Sequence, residues 1–219
     1  MHGIDIIANM YPLLSIAFKT NNTIIEVGSS SEPKGSTSTL LDICLKHDLN
    51  FITIDPSDEA CRNVNQILGS KNLSTDRNYI VRNEPAEKCL YKYNLDDVAL
   101  VYMDGFDVVS DHPHKQSTLD KYSAQGIDLL KDGNDISAQV HLEATYEIYN
   151  HVIDFGFICF DDTWIENNRY MGKGAKAVPF LLQKGYMMIV PPSENPNGGC
   201  LLQNAMFRNK ELTTQDLVK

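Results

Sequence analysis

Four carboxylates stand directly behind two apolar stretches of strand length. Asp104 and Asp107 follow the run Val98–Met103, and Asp161 and Asp162 follow Phe157–Phe160. If those runs are adjacent strands, the acids converge at the same end of a sheet. Carboxylates that close raise one another's pKa, so they need a cation, a basic partner or solvent. Hard oxygen donors suit Mg²⁺ or Ca²⁺. The plainer alternative is that Asp161 and Asp162 cap the following loop and Asp104 only orders its turn.

A second group of residues is suited to holding a ligand. The run Thr23–Val27 is followed by Gly28, three serines and then Gly35-Ser36-Thr37, ahead of a helical pattern. Gly28 and Gly35 permit close backbone approach, and the hydroxyls offer hydrogen bonds and a helix cap. The order Lys34-Gly35-Ser36 reverses that of a phosphate-binding P-loop, and the spacing is not GxGxxG. Asp55 ends the next apolar run. An acid ending the strand after a glycine turn holds ribose hydroxyls in dinucleotide folds, although Asp55 could equally cap the helix beginning at Asp58.

These residues need a scaffold, and the hydrophobic pattern supplies one. Thr23–Val27, Phe51–Asp55, Tyr79–Val81, Val98–Met103 and Phe157–Phe160 are near-continuous apolar runs, as expected of parallel strands buried on both faces. Helical patterns fill the gaps at Ser38–Lys46, Asp58–Leu68 and Ser137–Ile153. The alternation predicts βαβ units in a doubly wound α/β sheet. Tyr186–Val190 and Leu201–Phe207 are separated by Pro and Gly with no room for a helix, which predicts an antiparallel hairpin at the sheet edge. The whole chain, 1–219, is expected to be one domain, with an N-terminal extension over 1–22. A lid or substrate loop is expected at about 105–136.

Composition narrows the partners. Of 219 residues, 19 are basic and 29 acidic, a formal net charge of −10. Nucleic acid and anionic membranes both require Lys/Arg patches, so neither is expected as a partner. Five cysteines (Cys44, Cys61, Cys89, Cys159, Cys200) include no CxxC pair, which suits reduced thiols. The N-terminus has no basic region, and its best apolar run, Tyr11–Phe18, is far shorter than the ~20 residues of a spanning helix. A cytoplasmic protein is expected, with homo-oligomerisation left open.

From Thr23 to Phe207 the chain resembles the class I S-adenosylmethionine-dependent methyltransferases. The resemblance rests on the Glu26-x-Gly28…Gly35 turn, Asp55, the Asn83–Glu87 turn, Asp104 and the closing hairpin. It implies a Rossmann-like, mostly parallel seven-stranded sheet in the order 3-2-1-4-5-7-6. Only the last strand would be antiparallel, and helices would cover both faces. It also implies that S-adenosylmethionine lies against Gly28 and Ser29, with Glu26 near the methionine ammonium and Ser36 near the amino-acid part. Asp55 would take the ribose, Glu84, Pro85 and Ala86 would flank the adenine, and Asp104 would also contact the cofactor. The serine-rich stretch replaces the compact GxG common in that family.

The acid pairs are similar to those of the divalent-metal-dependent small-molecule O-methyltransferases. That likeness implies a Mg²⁺ or similar ion on Asp104, Asp161 and Asp162, and methylation of a small-molecule hydroxyl. Asp107 and His112 are the candidate bases beside Asp104, with His114 and His141 as alternatives, His141 reading more readily as a satisfied core residue. Lys173 and Lys176 read as surface lysines near a substrate mouth, and Tyr102 and Trp164 either shape a pocket or pack. A nucleotide-binding hydrolase and a catalytically silent cofactor-binding module are the rival readings.

Overall fold

In the computed structural model the described residues are 1–30, 32, 35–73, 79–93, 95, 97–108, 116–124 and 126–205. Seven strands form one sheet: β1 (Thr23–Val27), β2 (Asn50–Ile54), β3 (Tyr79–Arg82), β4 (Val98–Met103), β5 (Val152–Phe160), β8 (Tyr186–Val190) and β9 (Cys200–Asn204). Their order is β3-β2-β1-β4-β5-β9-β8. The first five run parallel, while β9 is antiparallel to both β5 and β8. The expected order and the antiparallel final strand are both present.

Each central strand is buried on both sides because the pleat sends alternate residues to opposite faces. Ile24, Phe51, Leu100, Tyr102 and Phe157 meet α1 (Gly3–Asn9), α3 (Ser36–His47) and α4 (Asp58–Ser70). Ile25, Ile52, Val101 and Ile158 meet α6 (Leu129–Ile148) and α7 (Ala177–Gln183). Each such side chain contributes about 1.5–3 kcal/mol of apolar burial. The N-terminal residues, including the short α2 (Tyr11–Leu14), cover the first of these faces. Among the described residues no helix is long and apolar enough to cross a membrane.

Two local expectations are corrected, and one hairpin is additional to those expected. The helix expected over Ser137–Ile153 spans Leu129–Ile148, because Asp128 accepts from Lys131 N and caps an earlier start. Val152 and Ile153 belong instead to β5, whose register with β4 jumps at a bulge where Phe155 adopts φ 65°. The interval expected as an irregular loop carries α5 (Gln116–Ser123) and the first turns of α6. Finally, β6 (Thr163–Glu166) and β7 (Arg169–Gly172) form a separate two-stranded hairpin. Its turn residues Asn167 and Asn168 both have left-handed backbones, φ 50° and 58°, the geometry that favours Asn in two-residue hairpins.

Candidate active site

The glycine turn after β1 is built around one close approach. Gly28 has φ 88°, and a Cβ there would lie 2.2 Å from the Asp104 carbonyl oxygen. Only glycine lets the turns after β1 and β4 meet at this distance. Ser29 N donates to Asp55 Oδ2 at 3.0 Å, and Ser57 N donates to Asp55 Oδ1 at 2.7 Å. Asp55 therefore ties the first turn to the second, and each oxygen retains a lone pair for a ligand.

Beneath this turn lies a fully buried acid. Glu26 Oε1 accepts from Ser36 Oγ, and Oε2 accepts from Thr37 Oγ1 and Thr53 Oγ1, all at 2.7 Å. Thr37 Oγ1 in turn accepts from Ser30 N at 2.8 Å, and Ser29 Oγ lies 2.7 Å from Thr53 Oγ1. Burial pushes the Glu26 carboxyl up to about 7 against the pull of these hydroxyls, with Asp104 adding repulsion.

Above the turn is a cavity of about 670 Å³ at the carboxyl ends of β1, β2 and β4. It lies in the size range of cofactor sites. Of the expected cofactor residues, Gly28, Ser29, Asp55, Pro85, Ala86 and Asp104 line it. Glu26 and Ser36 do not; they lie buried and hydrogen-bonded to each other. Glu84 is also absent from the lining and pairs with Lys92. The lining also includes the apolar residues Phe106, Ile127, Ile136 and Val140. Hydrophobic spacing along α6 was the one sequence signal for Ile136 and Val140.

The expected base Asp107 lines the cavity, and its Oδ2 accepts from Tyr122 OH at 3.0 Å. Tyr122 is held up in pKa by burial and by Asp107. His112 and His114 lie outside the described residues. His141 is fully buried: Nδ1 donates to Ser137 O at 2.7 Å and Nε2 accepts from Gly105 N at 3.2 Å. Burial and Lys173 lower its pKa to about 3, so it is a neutral clamp on the β4 turn.

The acid cluster is arranged differently from the implied metal centre. Lys173, expected at the surface, is only 2% exposed. Its Nζ donates to Asp104 Oδ1 and, at 2.9 Å, to Asp162 Oδ2. Burial disfavours its charge, but Asp104, Asp162 and Asp161 outweigh that and raise its pKa. Burial likewise pushes the Asp104 carboxyl upward, opposed by Lys173. Asp161 faces elsewhere: Oδ1 accepts from Gly3 N at 2.8 Å and Asp162 N at 3.0 Å, and Oδ2 accepts from Tyr102 OH at 2.7 Å. Tyr102 thus packs and orients Asp161, and Trp164 is buried in the β6–β7 hairpin. The grouping of ligand atoms near Asp161 includes His2 and Asp162 but not Asp104. The residues present do not fit a divalent ion on Asp104, Asp161 and Asp162.

Three solved structures show the same arrangement of elements. A candidate rRNA methylase from Clostridium thermocellum superposes with a TM-score of 0.58 at 13% identity, covering 90% of this chain and 96% of that one. A candidate methylase from Haemophilus influenzae gives 0.51 at 11% identity, covering 93% and 99%. The precorrin 8W decarboxylase of Methanobacterium thermoautotrophicum gives 0.52 at 13%, covering 92% and 90%. The chain has the fold of the class I methyltransferases. No family model and no curated protein matches its sequence. Within the methyltransferase fold, the cavity lies beyond the carboxyl ends of the strands, beside the glycine turn, where open α/β sheets bind ligands.

Proposed function

We propose that the chain transfers a methyl group from S-adenosylmethionine to the hydroxyl of a small molecule. The observation that carries this reading is the cavity itself, enclosed by Gly28, Asp55, Ala86 and Asp104 in a methyltransferase fold. Asp55 would receive ribose hydroxyls on its remaining lone pairs. Pro85, Ala86, Ile136 and Val140 offer apolar lining for a flat base.

Charge supports the same ligand. Among the described residues Glu32, Asp55, Glu87, Asp104 and Asp107 line the cavity, against Lys88 alone among basic ones. Such a lining favours a ligand carrying a sulfonium and an ammonium and disfavours a polyphosphate, which weighs against the hydrolase alternative. When bound, S-adenosylmethionine supplies an electrophilic methyl group, whose bond to sulfur would break so that neutral S-adenosylhomocysteine leaves. Asp107, held by Tyr122, would accept the hydroxyl proton as the carbon–oxygen bond forms, and the cavity walls would exclude water. The net charge of −10 disfavours an RNA substrate of the kind named for the Clostridium neighbour. The five free, buried cysteines support a reducing, cytoplasmic compartment.

A thermal-shift series with S-adenosylmethionine, S-adenosylhomocysteine, ATP and NAD tests this. A cofactor at a hundred times its Kd stabilises by about 2.7 kcal/mol, a shift of roughly 5–10 °C for a chain this size. Stabilisation by the first two ligands is expected. Stabilisation by ATP alone would overturn the reading, and binding without turnover of any hydroxyl substrate would favour the silent module.

A further inference from the structure

We infer that Lys173 is a built-in cation between Asp104 and Asp162, two of the three carboxylates expected to hold a divalent ion, so that this site works without metal. The ammonium contacts one oxygen of each carboxylate, and the lysine is buried from solvent. A hydrated or exchangeable ion has no comparable point of contact with both acids while the lysine is there.

The backbone is shaped to deliver it. Lys173 directly follows β7, where Gly172 has φ 72° and a Cβ would lie 1.9 Å from the Asp162 carbonyl oxygen. Lys173 N donates to that same oxygen at 3.1 Å, and Gly174 N donates to Thr163 Oγ1 at 2.9 Å. The β6–β7 hairpin therefore leaves Asp162, turns at Asn167 and Asn168, and returns to lay the lysine across the acids. Asp162 itself has φ 38°, a conformation unusual outside glycine, at the start of this excursion. Asp161 Oδ1 already accepts two hydrogen bonds, from Gly3 N and Asp162 N, and its Oδ2 accepts one from Tyr102 OH.

Lys173 is a positioning residue. It touches two carboxylates and does not line the cavity, whereas Asp104 does. Its single charge compensates the acids through Asp104 Oδ1 and Asp162 Oδ2 and leaves Asp104 Oδ2 without a partner among the described residues. Removing the ammonium while keeping both carboxylates leaves two adjacent anions that a hard cation would bridge. The inference rests on the proposed methyl transfer only for what the site is used for; its test needs no turnover.

The experiment is a Mn²⁺ titration, followed by electron paramagnetic resonance, of wild type, Lys173→Ala and Lys173→Met, with thermal stability read in parallel. Wild type should hold no stoichiometric Mn²⁺, and its stabilisation by S-adenosylmethionine should survive EDTA. Lys173→Ala, with space between the acids, should bind one ion at least about tenfold more tightly than wild type and regain thermal stability. Lys173→Met fills that space without charge and should bind no better than wild type. One Mn²⁺ bound tightly by wild type, or no gain in Lys173→Ala, overturns the inference. If Lys173→Ala does not fold, the wild-type titration decides alone. Failure of wild type to bind S-adenosylmethionine would count against the methyltransferase reading and leave the inference intact.

Discussion

Asp161 accepts a 2.8 Å hydrogen bond from the backbone N–H of Gly3, binding the end of β5 to the first turn of α1 across 158 positions of sequence. The same carboxylate takes the Tyr102 hydroxyl, and Gly3 is packed so that a Cβ would lie 2.8 Å from the Tyr102 ring. Asp161→Ala strands a buried N–H and a buried hydroxyl, a cost of about 2–4 kcal/mol. Denaturant unfolding should show that loss, and hydrogen exchange should rise in residues 3–9. A metal ligand would behave differently: turnover would fall while stability and exchange stayed near wild type.

Gly28 supports a second expectation. Gly28→Ala combines an unfavourable φ of 88° with a clash against Asp104 backbone, so neither the turn nor its neighbour can relax easily. The predicted loss is at least about 2 kcal/mol, with weakened S-adenosylmethionine binding because both turns border the cavity. Calorimetric titration of the variant checks it; unchanged affinity would show that the turn is not part of the cofactor site.

The sheet was legible because its central strands are buried on both faces and, like the half-buried β8, read as unbroken apolar runs. Thr23–Val27, Val98–Met103 and Tyr186–Val190 start and stop where the hydrophobic runs do. The start of α6 was signalled by Asp128 but masked by the polar residues after it, and the β6–β7 hairpin by Asn167-Asn168. In the site, Gly28 and Asp55 carry a local signature, a turn and a strand end. Lys173 does not. Between Gly172 and Gly174 it has the pattern of an exposed lysine, and it becomes buried only because the fold brings Asp104, 69 positions away, to its ammonium. The need of the acids for a basic partner was readable; its identity was not. Strand parity bears on Asp161, which shares the α1-facing phase of Cys159 and Tyr102 and bonds the Tyr102 hydroxyl instead of lining the cavity.

His141 should be a fixed neutral tautomer. Its Nδ1–H is committed to Ser137 O and its Nε2 to Gly105 N–H, and its pKa lies near 3. Nitrogen-detected NMR should find Nδ1 protonated, Nε2 bare, and no titration of this ring between about pH 5 and about pH 8. A ring that titrates in that window would mean that the clamp opens. His141→Leu leaves the Gly105 N–H unpaired and should cost about 1–3 kcal/mol, besides loosening the Asp104–Phe106 turn.

Glu26 makes stability depend on pH in a direction opposite to that of an ion-paired acid. Its carboxyl is raised from 4.5 to about 7 in the folded chain, chiefly by burial. The folded state therefore holds a proton that the unfolded state has released between those values. The associated stability is fully present below about pH 4.5 and is lost as pH rises through about 7. The shift corresponds to about 3 kcal/mol. Glu26→Gln keeps the shape and can still pair with Ser36, Thr37 and Thr53, but it cannot ionise. Urea unfolding of both proteins at about pH 5 and about pH 8 should show wild type losing more stability than the variant, by up to about 3 kcal/mol. The comparison cancels the other titrating groups, Asp104 among them. Equal losses in the two proteins would mean that the three hydroxyls hold Glu26 ionised throughout, with its pKa near that of an ordinary carboxylate.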